Sequence, residues 1–268
     1  MNRSSVHFGL SRRNNRLYDS RFEIRDLKFD LESRIPNLES FMSNSLYWLI
    51  RKLEDVPDND DWLSDAERNI LAGFRFPKRR NDWRLGRWTA KEAICAYQSR
   101  KAAVLASLEI RAAEDGAPEA FWDGAPAKVS LSISHSHSQG FCVVGPAELS
   151  LGCDMEQVEP REVQFFQDYF TPEEIALLQN GHAERSLVAY LIWCAKESAL
   201  KALRQGLRLD TRSIIVHPDF VEGSWNTWTG HCVDSPRSFC GWWRFQDGFI
   251  YAMTADRITS PPKELLVY

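Results

Sequence analysis

Trp193-Cys194-Ala195-Lys196-Glu197-Ser198-Ala199-Leu200-Lys201 is the stretch on which the reading of this chain turns, together with Gly152-Cys153-Asp154-Met155-Glu156 upstream of it. The first run reads as helix, and Glu197 and Lys201, four apart, share one helix face. The second ends a strand-like run in which Asp154 and Glu156, two apart, point to the same side. Taken singly, the helical Glu–Lys pair reads as a solvated surface pair and the strand-end acids as solvated carboxylates. Taken together, three carboxylates and an ammonium that converge are what a divalent cation and a phosphate-bearing substrate require.

Working outward, the text divides into two successive groups of helices followed by strands. Phe41–Leu53 is apolar and fits either strand or helix, with strand preferred. Ser64-Asp65-Ala66-Glu67 is a capping box opening a helix towards Phe76, where Pro77 stops it. A longer helix is expected from about Trp83 to Ala113, with Trp88, Ile94, Cys95, Val104, Leu105 and Leu108 at near-helical spacing. After the turn-rich Asp115-Gly116-Ala117-Pro118, strands are expected at Val129–Ser134, Phe141–Val144 and Leu149–Met155. Thr171-Pro172-Glu173-Glu174 opens a further helix that Asn180-Gly181 ends, and the helix carrying Glu197 runs from about Ala183 to Leu203, with Gly206 just beyond it. Gly241–Gln246, the turn Asp247-Gly248 and Phe249–Thr254 read as a hairpin. No close internal sequence repeat is visible, yet the duplicated element order suggests an α+β protein of two similar halves. The divisions are an N-terminal extension at 1–45, one half at 46–150 and a second at 151–268, with the site where the halves meet.

Composition bounds the function. The 268 residues are 44% hydrophobic, ample for a core, and a net charge of −4 argues against a nucleic-acid or membrane-surface role for the whole chain. No apolar run approaches the about 18–20 residues of a membrane span, and the N-terminus lacks the apolar core of a signal peptide. Arg3, Arg12, Arg13 and Arg16 give it a faint organelle-transit character that the acids from Asp19 onward dilute. The six cysteines show no C-x-x-C pair or zinc spacing, as expected of reduced, buried thiols in a cytoplasmic protein.

Two further stretches join the carboxylates. In Leu131-Ser132-Ile133-Ser134-His135-Ser136 the histidine reads as a satisfied loop residue or as a ligand contact, and His137 carries no role. Lys78-Arg79-Arg80-Asn81-Asp82-Trp83-Arg84-Leu85-Gly86-Arg87-Trp88-Thr89-Ala90-Lys91 reads as a solvated basic face or as a phosphate-binding one, with Arg87 and Lys91 on a shared face.

The texts G-[IVC]-D-x-E and W-x-x-K-E-[SA]-x-x-K, as they stand at 152–156 and 193–201, resemble the signature of the 4′-phosphopantetheinyl transferases. S-[IL]-S-H-S and R-x-D-W-x-L-G-R-x-x-A-K are similar to two further motifs of that family, so the resemblance covers roughly residues 60–255. It implies an α+β pseudo-dimer of the larger, monomeric branch, with its site between two halves. It implies Mg²⁺ held by Asp154, Glu156 and Glu197, and coenzyme A as co-substrate, contacted by Arg80, Arg87, Lys91, Ser134, His135 and Lys201. The partners implied are apo acyl, aryl or peptidyl carrier proteins, with no nucleic acid and no membrane. As general base it leaves Glu197, a water on the metal, or Lys201; Glu197 is preferred, because neighbouring carboxylates raise a lysine's pKa. Trp193 and Leu200 are expected in the core and Lys196 on another helix face. One departure stands out: relatives often have Gly-Lys-Pro where this chain has Gly116-Ala117-Pro118, so that cation is absent. The alternative is a non-catalytic carrier-protein or coenzyme A binding module that has kept the fold.

Overall fold

The computed structural model of the chain describes residues 45–160, 163–179, 185–205, 208–220 and 224–267, all within one unit, Phe41–Tyr268. The expectations for residues 1–44, for the Asn180-Gly181 helix end, for the helix start at Ala183 and for Gly206 lie outside the described residues. Among those described, the chain is α+β, as the order of helices and strands leads one to expect.

The first group of elements begins with β1 (Ser45–Lys52). Ser64 Oγ accepts the N–H of Glu67 while the Glu67 carboxylate accepts the N–H of Ser64, and this capping box starts α1 (Asp65–Ala72). α1 ends at Ala72 against Gly73, short of the expected Phe76, so Pro77 is not what stops it. Pro77 is the first residue of α2 (Pro77–Tyr97), where its missing N–H costs nothing. The long helix therefore starts before Trp83 and ends well short of Ala113. Beyond it, Ala102–Ser107 forms 3-10 turns and Leu108–Ala112 is β2, which pairs with β3 (Pro118–Trp122). Leu105 and Leu108 fit a helical period, but Leu108 and Ile110 also alternate with exposed neighbours, and cross-strand pairing with Trp122 and Ala120 decides for strand. Gly116, at φ +87°, makes the turn between them possible. After β4 (Ala125–Pro126) come β5 (Val129–Ser136) and β6 (Gln139–Pro146), both longer than expected.

The second group runs β7 (Leu151–Gln157), α3 (Val163–Tyr169), α4 (Pro172–Gln179), α5 (Arg185–Ala202), β8 (Ile214–Pro218), β9 (Asn226–Cys232), β10 (Ser238–Gln246) and β11 (Phe249–Ala255). The strand carrying the carboxylates thus begins at Leu151, not Leu149, and the β10–β11 hairpin turns at Asp247-Gly248 as read. β12 (Ser260–Glu264) returns to pair in parallel with β1. The strands β2, β3, β4, β8, β9 and β12 had no counterpart in the sequence reading.

The sheets run β12-β1-β6-β5, β7-β11-β10-β9-β8 and β2-β3-β4. β6 and β11 are apolar on both faces. Phe141 and Val143 on one side, and Phe249, Tyr251 and Met253 on the other, build a core between the two larger sheets with Trp48, Cys153 and Met155. The opposite faces bury α2 and α5 in separate cores. Among the described residues no helix is long and apolar enough to cross a membrane.

A contact repeats where the sequence does not. Lys91, with 0% exposure, gives its ammonium to Glu67 and to the carbonyls of Trp62 and Leu105, and Glu67 Oε1 accepts the N–H of Ile110 on β2. Lys196, also at 0%, gives its ammonium to Glu174 and to the carbonyls of Thr211 and Ile214, and Glu174 Oε1 accepts the N–H of Val216 on β8. Each glutamate is also the third residue of a capping box, with Ser64 or Thr171. A buried ion pair needs such added hydrogen bonds to offset desolvation.

Candidate active site

β7 presents two unlike faces. Cys153 and Met155 point into the core between the sheets, while Gly152, Asp154 and Glu156 alternate onto the other side. Gly152 meets α5 so closely that a Cβ there would stand 1.7 Å from the carbonyl oxygen of Ser198. The glycine therefore lets the helix lie on the strand, and the two acids emerge further along the same face beside Glu197 and Lys201. That is the local logic of the Gly-Cys-Asp-Met-Glu text.

The free edge of β7 is met by three serines alternating along β5. Ser132 Oγ accepts the N–H of Cys153 at 2.9 Å, Ser134 Oγ donates to Asp154 Oδ1 at 2.7 Å, and Ser136 Oγ donates to Glu156 Oε2 at 2.8 Å. Lys201 Nζ donates to the same Asp154 Oδ1 at 2.8 Å and to the carbonyl of Cys153 at 2.9 Å. Asp154 Oδ2 and Glu197 Oε1 are buried with no hydrogen-bond partner. Cys194 lies beside Asp154; burial, then the charges of Asp154 and Glu156, raise its thiol well above the usual range, so it stays a weak neutral donor.

The electrostatics separate Glu197 from Lys201. Burial, then the charges of Asp154 and Glu156, push the Glu197 carboxyl up to about 7, although Lys201 works the other way. Burial alone would lower Lys201, but Asp154, Cys153 and Glu197 outweigh it and hold the ammonium above its ordinary range. His135 is exposed near the end of β5; partial desolvation of its ring by the surrounding protein lowers its pKa, and the charges that act on it are Asp82, Lys201, Lys78 and Asp154.

The basic stretch does not converge as a unit. Arg80 and Arg84 both bind Asp60, at 3.0 and 2.9 Å. Arg87 stacks over Trp83 with its Nε buried and unpartnered, and burial lowers its pKa. Lys91 corrects the expectation made for it. Its three protons are spent on Glu67, Trp62 and Leu105 in the core, so it is closed to a phosphate. Gly86 of α2 packs against Ile133, on the face of β5 opposite the three serines, and one and two turns earlier Asp82 and Lys78 lie near enough for their charges to act on His135. The sequence reading missed Ser132 and Ser136, although the alternation Ser132, Ser134, Ser136 carried the signal for both. His137, given no role from sequence, bridges Ser136 Oγ at 3.0 Å and Glu159 at 3.3 Å. Leu200 is core as expected, Trp193 is partly buried against Phe165 and Tyr169, and Lys196 is on another face, fully buried.

A groove of about 620 Å³ runs from the β2–β3 turn, past Ala117 and Pro118, along Ser132 and Leu151 to Lys201. Arg204 lines its rim, held by Asp115 and Glu119. Lys201 thus joins the groove to the carboxylate corner. Among the described residues, no three or more His, Cys, Asp or Glu side chains stand grouped closely enough to hold a metal ion unaided.

Residues 150–247, which include both carboxylate elements, match the model of the 4′-phosphopantetheinyl transferase superfamily. A 4′-phosphopantetheinyl transferase of Bacillus subtilis is 29% identical over 92 residues, which are 34% of this chain and 41% of that protein. The chain is thus similar, over less than half of its relative's length, to a transferase of the phosphopantetheine arm.

Proposed function

We propose that the protein transfers 4′-phosphopantetheine from coenzyme A to a serine hydroxyl of an apo carrier protein, releasing adenosine 3′,5′-bisphosphate. The observation that carries this reading is the pair of buried, unpartnered oxygens, Asp154 Oδ2 and Glu197 Oε1, beside the Lys201 ammonium. A buried carboxylate oxygen without a partner is costly unless something binds it. Mg²⁺ suits these donors, since it takes one or two carboxylates together with substrate phosphates and water. Asp154, Glu156 and Glu197 would hold it. Bound there, it would neutralise the pyrophosphate and stabilise charge on the leaving group.

The chain's own residues account for the rest. Lys201, kept charged by Asp154, binds phosphate at the end of the groove, and Ser134 and His135 flank the same corner. The serine oxygen of the carrier forms a bond to the β-phosphorus as the bond to the bridging oxygen breaks. Glu197, whose Oε1 is buried and unpartnered at the corner, takes the hydroxyl proton. Lys201 is the weaker candidate for that step, because it stays protonated. Arg80 and Arg87 are kept as candidate coenzyme A contacts; Lys91 is not.

The repeated Lys–Glu contacts and the matching sheet orders, β1-β6-β5 and β7-β11-β10, support two halves, 46–150 and 151–268, arranged as a pseudo-dimer in one monomer. The same reading places the protein in the cytoplasm, where its six free thiols fit. The test is mass spectrometry of apo acyl, aryl and peptidyl carriers incubated with the protein, coenzyme A and Mg²⁺. A gain of one phosphopantetheine arm on a serine is expected, and no gain on any carrier would overturn the reading.

A further inference from the structure

The duplicated Lys–Glu pair is a ruler between the two groups of elements. Glu92 follows Lys91 on α2 as Glu197 follows Lys196 on α5, and Ala96 stands where α5 has Lys201. The hairpins give a second ruler. Gln139, the first residue of β6, pairs with Lys52, and Phe249, the first residue of β11, pairs with Gln157. Counting back from those pairs along β1 and β7 sets Arg51 against Glu156 and Leu49 against Asp154. The two rulers, one helical and one from strand register, agree on a single corner of the first group.

That corner is filled differently. Arg51 Nε donates to Glu92 Oε2, with side chains only 22% and 9% exposed. Leu49, at 2% exposure, belongs to the core beneath α2. Along the edge of β1 not paired with β6 runs β12, and the Trp48 carbonyl accepts the N–H of Leu265; the corresponding edge of β7 is the one the β5 serines meet.

We propose that the first group holds the remnant of a second cation corner, closed because the guanidinium of Arg51 has taken the place of the cation. The proposal rests on reading Asp154, Glu156 and Glu197 as a cation corner. Arg51 reaches Glu92 through Nε while another of its nitrogens donates to the Ile50 carbonyl, so a fixed side-chain cation offsets the Glu92 carboxylate without a metal. Leu49 removes a ligand, Ala96 removes the phosphate-binding ammonium, and β12 occupies the approach. The chain consequently has one working corner.

The test is calorimetric titration of the chelator-stripped full chain with Mn²⁺, wild type against the double variant Leu49→Asp, Arg51→Glu. The variant is expected to bind one Mn²⁺ more than wild type. A folded double variant with the same stoichiometry as wild type overturns the proposal. The two readings fail differently: a wild type that binds none while the variant binds one sinks the Asp154 corner and keeps the remnant. Should the double variant not fold, Arg51→Glu, which sets a second carboxylate beside Glu92, carries the test through its melting temperature. Mn²⁺ is expected to raise the melting temperature of Arg51→Glu more than that of wild type, and that extra rise should vanish in Arg51→Glu, Glu92→Ala. Equal Mn²⁺ shifts in Arg51→Glu and wild type overturn the proposal.

Discussion

The Ser134 hydroxyl on β5 donates to Asp154 Oδ1 on β7 at 2.7 Å, and it does so beside Lys201 Nζ, which reaches the same oxygen at 2.8 Å. Two donors from separate elements fix the carboxylate in one orientation. They also leave its second oxygen buried and unsatisfied, which is the state a ligand-binding group has before its ligand arrives. A carboxylate kept only for packing would have no reason to be held this way.

Asp154→Ala should therefore lower transfer to a carrier to less than about a tenth of wild type, a loss of more than ~1.4 kcal/mol of transition-state stabilisation. The far-ultraviolet circular dichroism should stay that of the folded protein. Retention of more than that tenth at saturating Mg²⁺ would remove Asp154 from the site.

Gly152→Ala is expected to act on the fold. The added methyl group would have to lie 1.7 Å from the Ser198 carbonyl oxygen, so α5 must lift from β7. Overpacking of this kind costs typically 1–3 kcal/mol, and here the obstacle is helix backbone, which places the cost at or above ~3 kcal/mol. Urea unfolding gives the number, and an unchanged midpoint would contradict the close approach.

Much of this corner was legible in the sequence because its geometry is local. Two residues apart on a strand and four apart on a helix need no tertiary information to share a face, so Asp154 could be paired with Glu156, and Glu197 with Lys201, from text alone; that the two pairs meet was what the resemblance implied. Lys91 was misread for the opposite reason. Its partner Glu67 lies on another helix, and what separates a buried lysine from a solvated one is the helix and β2 strand packed around it. The same holds for Arg80 and Arg84, whose shared partner Asp60 sits in the loop before α1. β2 was taken into the preceding helix because Leu105 and Leu108 satisfy both periods, and pairing with β3 decides between them. The repeat between the two groups was readable as element order and hidden as sequence, since what recurs is a capping glutamate and a lysine brought together from different helices.

The pH dependence of stability should report on Glu197. Its folded-state pKa of about 7 lies above the ordinary 4.5, so the native protein holds a proton that the unfolded chain releases between those values. The Glu197 contribution to the stability of the metal-free protein is fully present below about 4.5, is lost as pH rises through 7 and changes no further above it. Glu197→Gln removes that decline. In chelator, the variant should match wild type near pH 4.5 and exceed it at pH 8 by on the order of 1 kcal/mol, the partial exposure of the group limiting the gain. Parallel urea midpoints for the two proteins across this range would show that Glu197 is not the strained carboxylate.

Lys196, within the signature text itself, is expected to hold the fold and take no part in the chemistry. Its ammonium and the Glu174 carboxylate are 0% and 1% exposed and 2.8 Å apart, and burial pulls the lysine pKa down while Glu174 pulls it back up. Lys196→Met leaves a buried carboxylate without its counter-ion, which costs about 3–5 kcal/mol. Glu174→Gln in the same chain removes the stranded charge while one amide oxygen can still accept from Thr171 or Val216. The double variant should thus be more stable than Lys196→Met alone, with a coupling of about 1–3 kcal/mol in a double-mutant cycle. Below the melting temperature of the double variant, the KM for coenzyme A should be that of wild type, since neither group reaches the groove. A raised KM with unchanged stability would place Lys196 on the substrate, and the parallel with Lys91 would fall with it.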